Sequence, residues 1–237
     1  MLEAISLTKQ FGSHVALDSL DLTVRAGEIF CLLGANGAGK TTTIKLFLGF
    51  LTPTSGTARV AGIDVAQAPD ASKRRLLYIP EQIALYGELT GLENLEYFAA
   101  LSGVEDASPD RLRACLVEAG LPQDAVGRRA SEYSKGMRQK VGIALAIAKR
   151  AAAMLLDEPT SGLDPRASAE FHDLLCRQRE AGAAILMATH DLFRAREVGN
   201  YIGLMRDGRL RRTIPAADVT AQQLEALYLE EMGRTES

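Results

Sequence analysis

Short apolar runs closed by glycine-rich turns alternate along this chain with longer stretches whose apolar residues recur three and four apart. Residues 2–8 and 15–24 alternate and are rich in Leu, Val and Ile. Asp18 and Asp21 interrupt the second run, which predicts paired strands with one polar face. After the turn Ala26-Gly27-Glu28, residues Ile29–Leu33 are continuously apolar, as expected of a parallel strand covered on both sides. A glycine-rich loop, 34–39, leads into a helical pattern at Ile44, Leu46, Phe47 and Leu48. Thr52–Gly56 reads as a turn and residues 57–65 as another hairpin.

From about residue 88 to 150 the period becomes helical. Leu92, Leu95, Phe98 and Ala99 mark one face. Ser108-Pro109 supplies an N-cap followed by proline at the first helical position, and Leu112, Leu116 and Val117 carry that helix to Gly120. A third helix runs from near Ser134 to about Ala148. The remainder alternates again: strand 153–157, helix 165–181, strand 183–189, helix 191–199, strand 201–206. This order predicts an α/β fold with a mainly parallel sheet, an N-terminal antiparallel β subdomain and an inserted helical subdomain over roughly 84–150. Residues 211–237 form a short C-terminal extension, where Leu224, Leu227 and Tyr228 at helical spacing predict a helix packed on the core. The 237 residues are expected to form a single domain.

Composition narrows the classes. With 47% hydrophobic and 24% charged residues, neither a disordered chain nor a disulfide scaffold is expected. The 27 basic residues against 30 acidic ones give a net charge of −3, so no basic field draws in nucleic acid, and no nucleic-acid partner is expected. Cys31, Cys115 and Cys176 fit neither a zinc spacing nor a disulfide framework and suggest a reducing, cytoplasmic setting. No apolar stretch approaches the roughly 18 residues that cross a bilayer. Residues Met1–Gln10 lack the basic-then-apolar order of a signal peptide. A membrane role would therefore come through a separate chain.

Gly34-Ala35-Asn36-Gly37-Ala38-Gly39-Lys40-Thr41-Thr42 satisfies G-x-x-x-x-G-K-[ST] between a buried strand and a helix, the setting of a P-loop NTPase core. Glycines let the backbone turn its N–H groups onto phosphate oxygens, and the following helix adds the positive end of its dipole. Lys40 is a mobile charge for the β- and γ-phosphates, Thr41 offers a hydroxyl to Mg²⁺, and Thr42 reaches the α-phosphate side. The ligand implied is the phosphate chain of a nucleotide, with Mg²⁺.

Met154-Leu155-Leu156-Asp157-Glu158-Pro159 is an apolar strand ending in two acids. In open parallel sheets ligands sit beyond that edge. Asp157 reads as a Mg²⁺ partner through water, and Glu158 as the general base on the attacking water. His190, just after the apolar run Ile185–Met187, occupies a similar strand end, where it can donate to the γ-phosphate or hold the water. His14 and His172 read as surface residues.

These motifs, with the segment Ser131–Lys140, resemble an ATP-binding-cassette (ABC) ATPase over about residues 2–210. The resemblance implies that Phe11 stacks on adenine and that loop 80–86 holds a position usually filled by glutamine. Glu81 falls there, as a further Mg²⁺ contact, and a shift of one residue would put Gln82 there instead. It also implies that Ser134 and Gly136, at a helix start, face the ATP of a second subunit in a head-to-tail homodimer or heterodimer, while Asp164 lies in the loop crossing to that subunit. The signature reads Tyr-Ser-Lys-Gly-Met, so Lys135 and Met137 stand where glycine and glutamine are common. That variant is similar to the bacterial multidrug, antibiotic and polysaccharide export branch. An integral membrane permease is the implied partner, with the chain peripheral on the inner membrane face. Leu85, Tyr86, Leu89, Leu92 and Tyr97 are the implied contact. A soluble ABC ATPase of iron–sulfur assembly is the alternative, and a nucleotide switch without turnover is disfavoured by Glu158 and His190.

Overall fold

The computed structural model describes residues 1–233. In chain order its elements are β1 (Leu2–Phe11), β2 (His14–Val24), β3 (Ile29–Leu33), α1 (Lys40–Phe47), β4 (Ser55–Val60), β5 (Ile63–Asp64), α2 (Pro69–Arg75), β6 (Leu76–Ile79), α3 (Gly91–Leu101), α4 (Pro109–Glu118), α5 (Lys135–Lys149), β7 (Ala153–Asp157), α6 (Pro165–Glu180), β8 (Ala184–Thr189), α7 (Leu192–Val198), β9 (Tyr201–Arg206), β10 (Arg209–Pro215) and α8 (Ala221–Gly233). The N-terminal strands form an antiparallel sheet in the order β2-β1-β4-β5. The second sheet has the order β10-β9-β3-β8-β7-β6, parallel throughout except where β10 turns back on β9.

The apolar run at 29–33 sits at the centre of that second sheet, and its period of two is visible in what each side chain meets. Ile29, Cys31 and Leu33 join one core with the helical block, whereas Phe30 and Leu32 join another with α1 and the N-terminal sheet. β7 and β8 divide their side chains between the same two cores. A strand covered on both faces cannot afford a polar position, which is why these three read as unbroken apolar runs. The two acids that interrupt β2 are each used. Asp21 accepts the backbone N–H of Ser6 at 2.7 Å, where β1 bulges and Ser6 takes φ 44°. Asp18 pairs with Arg209 of β10 at 2.7 Å and ties the two sheets together.

Helices α3, α4 and α5 lie between β6 and β7 in the chain. Leu95, Ala99, Leu112, Leu116, Ile143 and Ala144 are shut from solvent among them. Thr90 and Glu93 form a reciprocal capping box on α3, with bonds of 3.2 and 2.8 Å. Asn94, fully buried one turn on, accepts from Tyr86 N–H at 2.8 Å and donates to the carbonyls of Tyr86 and Thr90 at 3.0 and 2.9 Å. One side chain thus fixes the course of the loop before α3.

The structure departs from the sequence reading at several places. Strands β1 and β2 run to Phe11 and from His14, closing a tight hairpin. α2 and β6 stand where no element is predicted: α2 carries no large apolar residue, and β6 is too short to show a period. Residues 211–215 belong to β10 in the core sheet, and the extension proper is α8, whose Leu224 is buried. The last four residues of the expected extension, 234–237, lie outside the described residues. Ser108 caps α4 by position only, since its hydroxyl donates to Asp106 at 2.8 Å, and Val117 faces solvent. His172 is sheltered on α6 with Nδ1 3.7 Å from Glu197, so it is not a surface residue; α7 folds back over that face. No helix among the described residues is long and apolar enough to cross a membrane.

Asn94→Ala would leave the Tyr86 N–H without its acceptor and would take a second donor from the carbonyls of Tyr86, Leu89 and Thr90, which keep their backbone partners. A loss of about 2 kcal/mol is expected in chemical denaturation, most of it desolvation cost. A change under about 0.5 kcal/mol would show that water replaces the amide.

Candidate functional site

Three parallel strands, β3, β7 and β8, bring their C-terminal ends together, and the site is assembled from the residues just past each of those ends. After β3 the chain turns sharply. Gly34 passes so close to β9 that a Cβ there would sit 2.4 Å from the carbonyl oxygen of Met205. Gly39 takes φ 108° as the N-cap of α1, with no side-chain cap. The first-turn N–H groups of α1 therefore keep their hydrogen-bonding capacity for an anion. A cleft of about 300 Å³ opens above this turn, lined by Phe11, His14, Ala16 and residues 35–42. It contains Phe11, Asn36, Gly37, Ala38, Gly39, Lys40, Thr41 and Thr42 as the sequence reading requires, whereas buried Gly34 shapes the loop from beneath. His14 is exposed, yet it lines the cleft; its pairing with Phe11 across the β1–β2 turn was the available signal.

Lys40 is buried. Its ammonium donates to the carbonyls of Gly34 and Ala35, at 2.5 and 3.2 Å. Burial pushes it below the ordinary lysine value, against the opposing pull of Glu158 and Asp157. Asp157 closes β7 with Oδ2 3.5 Å from the Thr41 hydroxyl. Burial holds its carboxyl above the usual range, the neighbouring Glu158 adds to this, and Lys40 and Thr41 act against it. Thr41 and Asp157 are hard oxygen donors, too few to enclose a cation by themselves. That fits Mg²⁺ completing its shell with phosphate oxygens and water. Among the described residues no cluster of three or more His, Cys, Asp or Glu could hold a metal independently.

Glu158 is turned back across the strand ends by a left-handed backbone, φ 47°, a conformation that costs a non-glycine residue about 1 kcal/mol or more. The turn is held by its N–H donating to Ala188 at 2.9 Å and its carbonyl accepting from Ser161 N–H at 3.1 Å. Its carboxylate then meets two groups from the end of β8. Thr189 donates to Oε2 at 3.1 Å, and His190 Nδ1 lies 2.8 Å from Oε1. Glu158 and His190 are thus brought together, and Thr189, which the sequence reading passed over, orients the acid. Adjacency to a functional histidine was the signal.

The remaining residues cluster around loop 159–164. Ser134 caps α5 by accepting from Met137 N–H at 3.2 Å, and Asp164 caps α6 by accepting from Ala167 N–H at 2.8 Å. Both are exposed, and Gly136 packs 3.4 Å (from an added Cβ) off Ala167. Lys135 reaches across to donate to the Ser161 carbonyl. Glu81 accepts from the Ser161 hydroxyl at 3.1 Å and is near enough to raise the Asp157 carboxyl. Gln82 instead lines an apolar groove with Leu77, Ile83, Leu85, Phe98 and Leu145, so Glu81 faces the acids and Gln82 does not.

Residues 17–161 match the sequence model of the ABC transporter family, and the chain belongs to that family. It is 35% identical over 222 residues to the "Probable multidrug ABC transporter ATP-binding protein YbhF" of Escherichia coli, covering 94% of this chain and 38% of that one. It is 37% identical to the daunorubicin/doxorubicin resistance ATP-binding protein DrrA of Streptomyces peucetius, over 88% of this chain and 63% of that one. The bacitracin transport ATP-binding protein BcrA of Enterococcus faecalis is 36% identical, over 89% and 68%. The chain thus spans between about a third and two thirds of these relatives' lengths. An ATP-binding subunit of an ABC transporter superposes with a TM-score of 0.86 at 32% identity, over 98% of this chain and 99% of that one. The cassette MJ0796, in a dimeric post-hydrolysis state with ADP and Pi, gives 0.79 at 25% identity, over 91% and 99%.

Asp157 has a higher pKa folded than unfolded, so the folded chain binds more protons around that range. Its contribution to stability is greatest at low pH and falls as pH rises above the ordinary Asp value near 4. Asp157→Asn is expected to raise the melting temperature of the nucleotide-free chain at neutral pH and to flatten that dependence. A lower melting temperature would show that Lys40 and Thr41 outweigh burial.

Proposed function

We propose that the chain binds ATP with Mg²⁺ in the cleft above the phosphate loop, hydrolyses it, and drives a separate integral membrane permease, as the ATPase of an exporter. The observation that carries hydrolysis rather than binding alone is Glu158, held by Thr189 and His190 at the strand ends beside the phosphate loop. Phe11 stacks on adenine at the open end of the cleft. Lys40 leaves the carbonyls of Gly34 and Ala35 for the β- and γ-phosphates, while the loop N–H groups of 36–42 take the remaining oxygens. Thr41 and Asp157 hold Mg²⁺, with Glu81 bordering its water shell. When bound, Mg²⁺ neutralises charge on the phosphates. Glu158 accepts a proton from the attacking water. His190 engages Glu158 through Nδ1, which leaves Nε2 as the free ring atom; a ring that carries a proton on both nitrogens donates from Nδ1 to Glu158 and from Nε2 toward the γ-phosphate.

In this reading the site is completed by a second subunit. Ser134 and Gly136 present the start of α5 to the ATP held by the partner, and Asp164 lies on the loop crossing to it. The dimeric state of the similar cassette MJ0796 supports a dimer, either of two copies or with a second cassette. The permease docks on residues 85–97, where Tyr86 and Tyr97 are exposed, pack edge to face at 5.0 Å, and both lie against Phe98, which lines the apolar groove. Residues 84–150 would carry that contact as a helical subdomain. The chain then sits at the inner face of the cell membrane. Export is supported by the resistance and drug-transport names of the relatives, and these favour transport over a soluble role in iron–sulfur assembly.

Glu158→Gln is expected to lower ATP turnover by about a hundredfold or more while keeping ATP affinity, and to elute as a dimer in ATP. Turnover at the parent rate would remove Glu158 from this role. Lys40→Ala is expected to weaken ATP binding about tenfold or more, read by titration calorimetry, since a charge-assisted contact is lost. Unchanged affinity would refute the phosphate-loop assignment.

A further inference from the structure

Lys135 stands in the signature segment where glycine is common, at the first position of α5. A cation there opposes the positive end of the helix dipole, so the position is unfavourable unless another contact holds the charge. The structure supplies that contact. The Lys135 ammonium donates to the carbonyl of Ser161, and it lies 3.8 Å from where Gly162 would carry a Cβ. Ser161 makes two other contacts. Its N–H donates to the Glu158 carbonyl at 3.1 Å, and its hydroxyl donates to Glu81 Oε1 at 3.1 Å. The Glu81 carbonyl accepts in turn from Gln139 of α5 at 3.4 Å. Gln139 is itself buried, with its Oε1 unpartnered, so a strong tie from α5 to this region cannot rest on Gln139 alone.

We propose that Lys135 is a positioning residue that ties α5 to loop 159–164 within one subunit and so holds Glu158 and Glu81 in register. Its ammonium is engaged by the Ser161 carbonyl of its own subunit. It acts through Ser161: the carbonyl clamps the loop, the N–H fixes the strained turn at Glu158, and the hydroxyl fixes Glu81. A shift of loop 80–86, the segment beside the apolar groove, is thereby felt at the general base. The proposal rests on the ATPase reading above for its consequence in turnover, but not for the contact itself.

Two measurements on the full chain separate these. Hydrogen–deuterium exchange of the nucleotide-free chain reads the clamp. Lys135→Met is expected to speed exchange across residues 158–164 several-fold, and Lys135→Arg, which keeps a donor, to leave it near the parent rate. Steady-state ATP hydrolysis reads the consequence. Lys135→Met is expected to lower kcat several-fold with KM for ATP unchanged, with Lys135→Arg restoring most of it. Unaltered exchange in Lys135→Met overturns the proposal. Faster exchange with unchanged kcat, or a change in KM alone, overturns the positioning role. If the parent chain shows no turnover, the ATPase reading fails, and the clamp stands or falls by exchange. Should Lys135→Met not fold, Lys135→Gly takes its place in both measurements.

Discussion

Two carboxylates, Asp157 and Glu158, stand side by side at the end of a buried strand, and one sheltered ammonium, Lys40, faces them from the neighbouring loop. Much else in the structure serves this imbalance. Two acids that close repel each other and resist desolvation. The chain separates them by reversing the backbone at Glu158, so that Asp157 looks toward Thr41 and Glu158 toward Thr189 and His190. Holding that reversal requires β8 alongside, because the bond from Glu158 N–H to Ala188 anchors it. The parallel order β3-β8-β7 is thus what lets residues from three distant segments share one edge. The excess negative charge that remains is the feature on which the proposed binding of a divalent cation with a phosphate chain rests.

The elements that hold this edge were also the most legible in the sequence. Ile29–Leu33, Ala153–Asp157 and Ala184–Thr189 are fully or nearly fully buried on both faces, and burial of that kind forces an unbroken apolar run. The phosphate loop was legible for a related reason: its glycines answer to steric demands, such as the close pass of Gly34 by Met205, that no other residue meets. Local sequence said less where stability comes from elsewhere. α2 has a polar surface and only Ser72 buried, and β6 is four residues held by β7, so neither carries a period of its own. β10 hides its role because it is an edge strand with a half-exposed, arginine-rich pattern.

Side-chain roles followed the same division. Glu158 and His190 stood out only together with the phosphate loop, since charged residues after an apolar run are common and their strand ends matter because they share one sheet with that loop. Thr189 did not, because a threonine ending a strand is ordinary, and only its bond to Glu158 distinguishes it. Ser134 and Asp164 are competent helix caps whatever else they do, so sequence and monomer geometry alike leave their reach to a partner as a reading. Ser161 is the reverse case: a small residue in a loop, with no periodicity, whose backbone and side chain both meet the acids' surroundings.

The buried lysine has a kinetic side. Bonded to the carbonyls of Gly34 and Ala35, its ammonium acts as a tethered competitor of the very phosphates it would serve, present at the high effective concentration that a covalent link confers. In the proposed reading, nucleotide entry is then an exchange of partners. The apparent affinity equals the intrinsic affinity reduced by the fraction of time the lysine is released. In the proposed reading the cation also has two carbonyls to return to on nucleotide release, so a vacated loop is not left with an unpartnered buried charge.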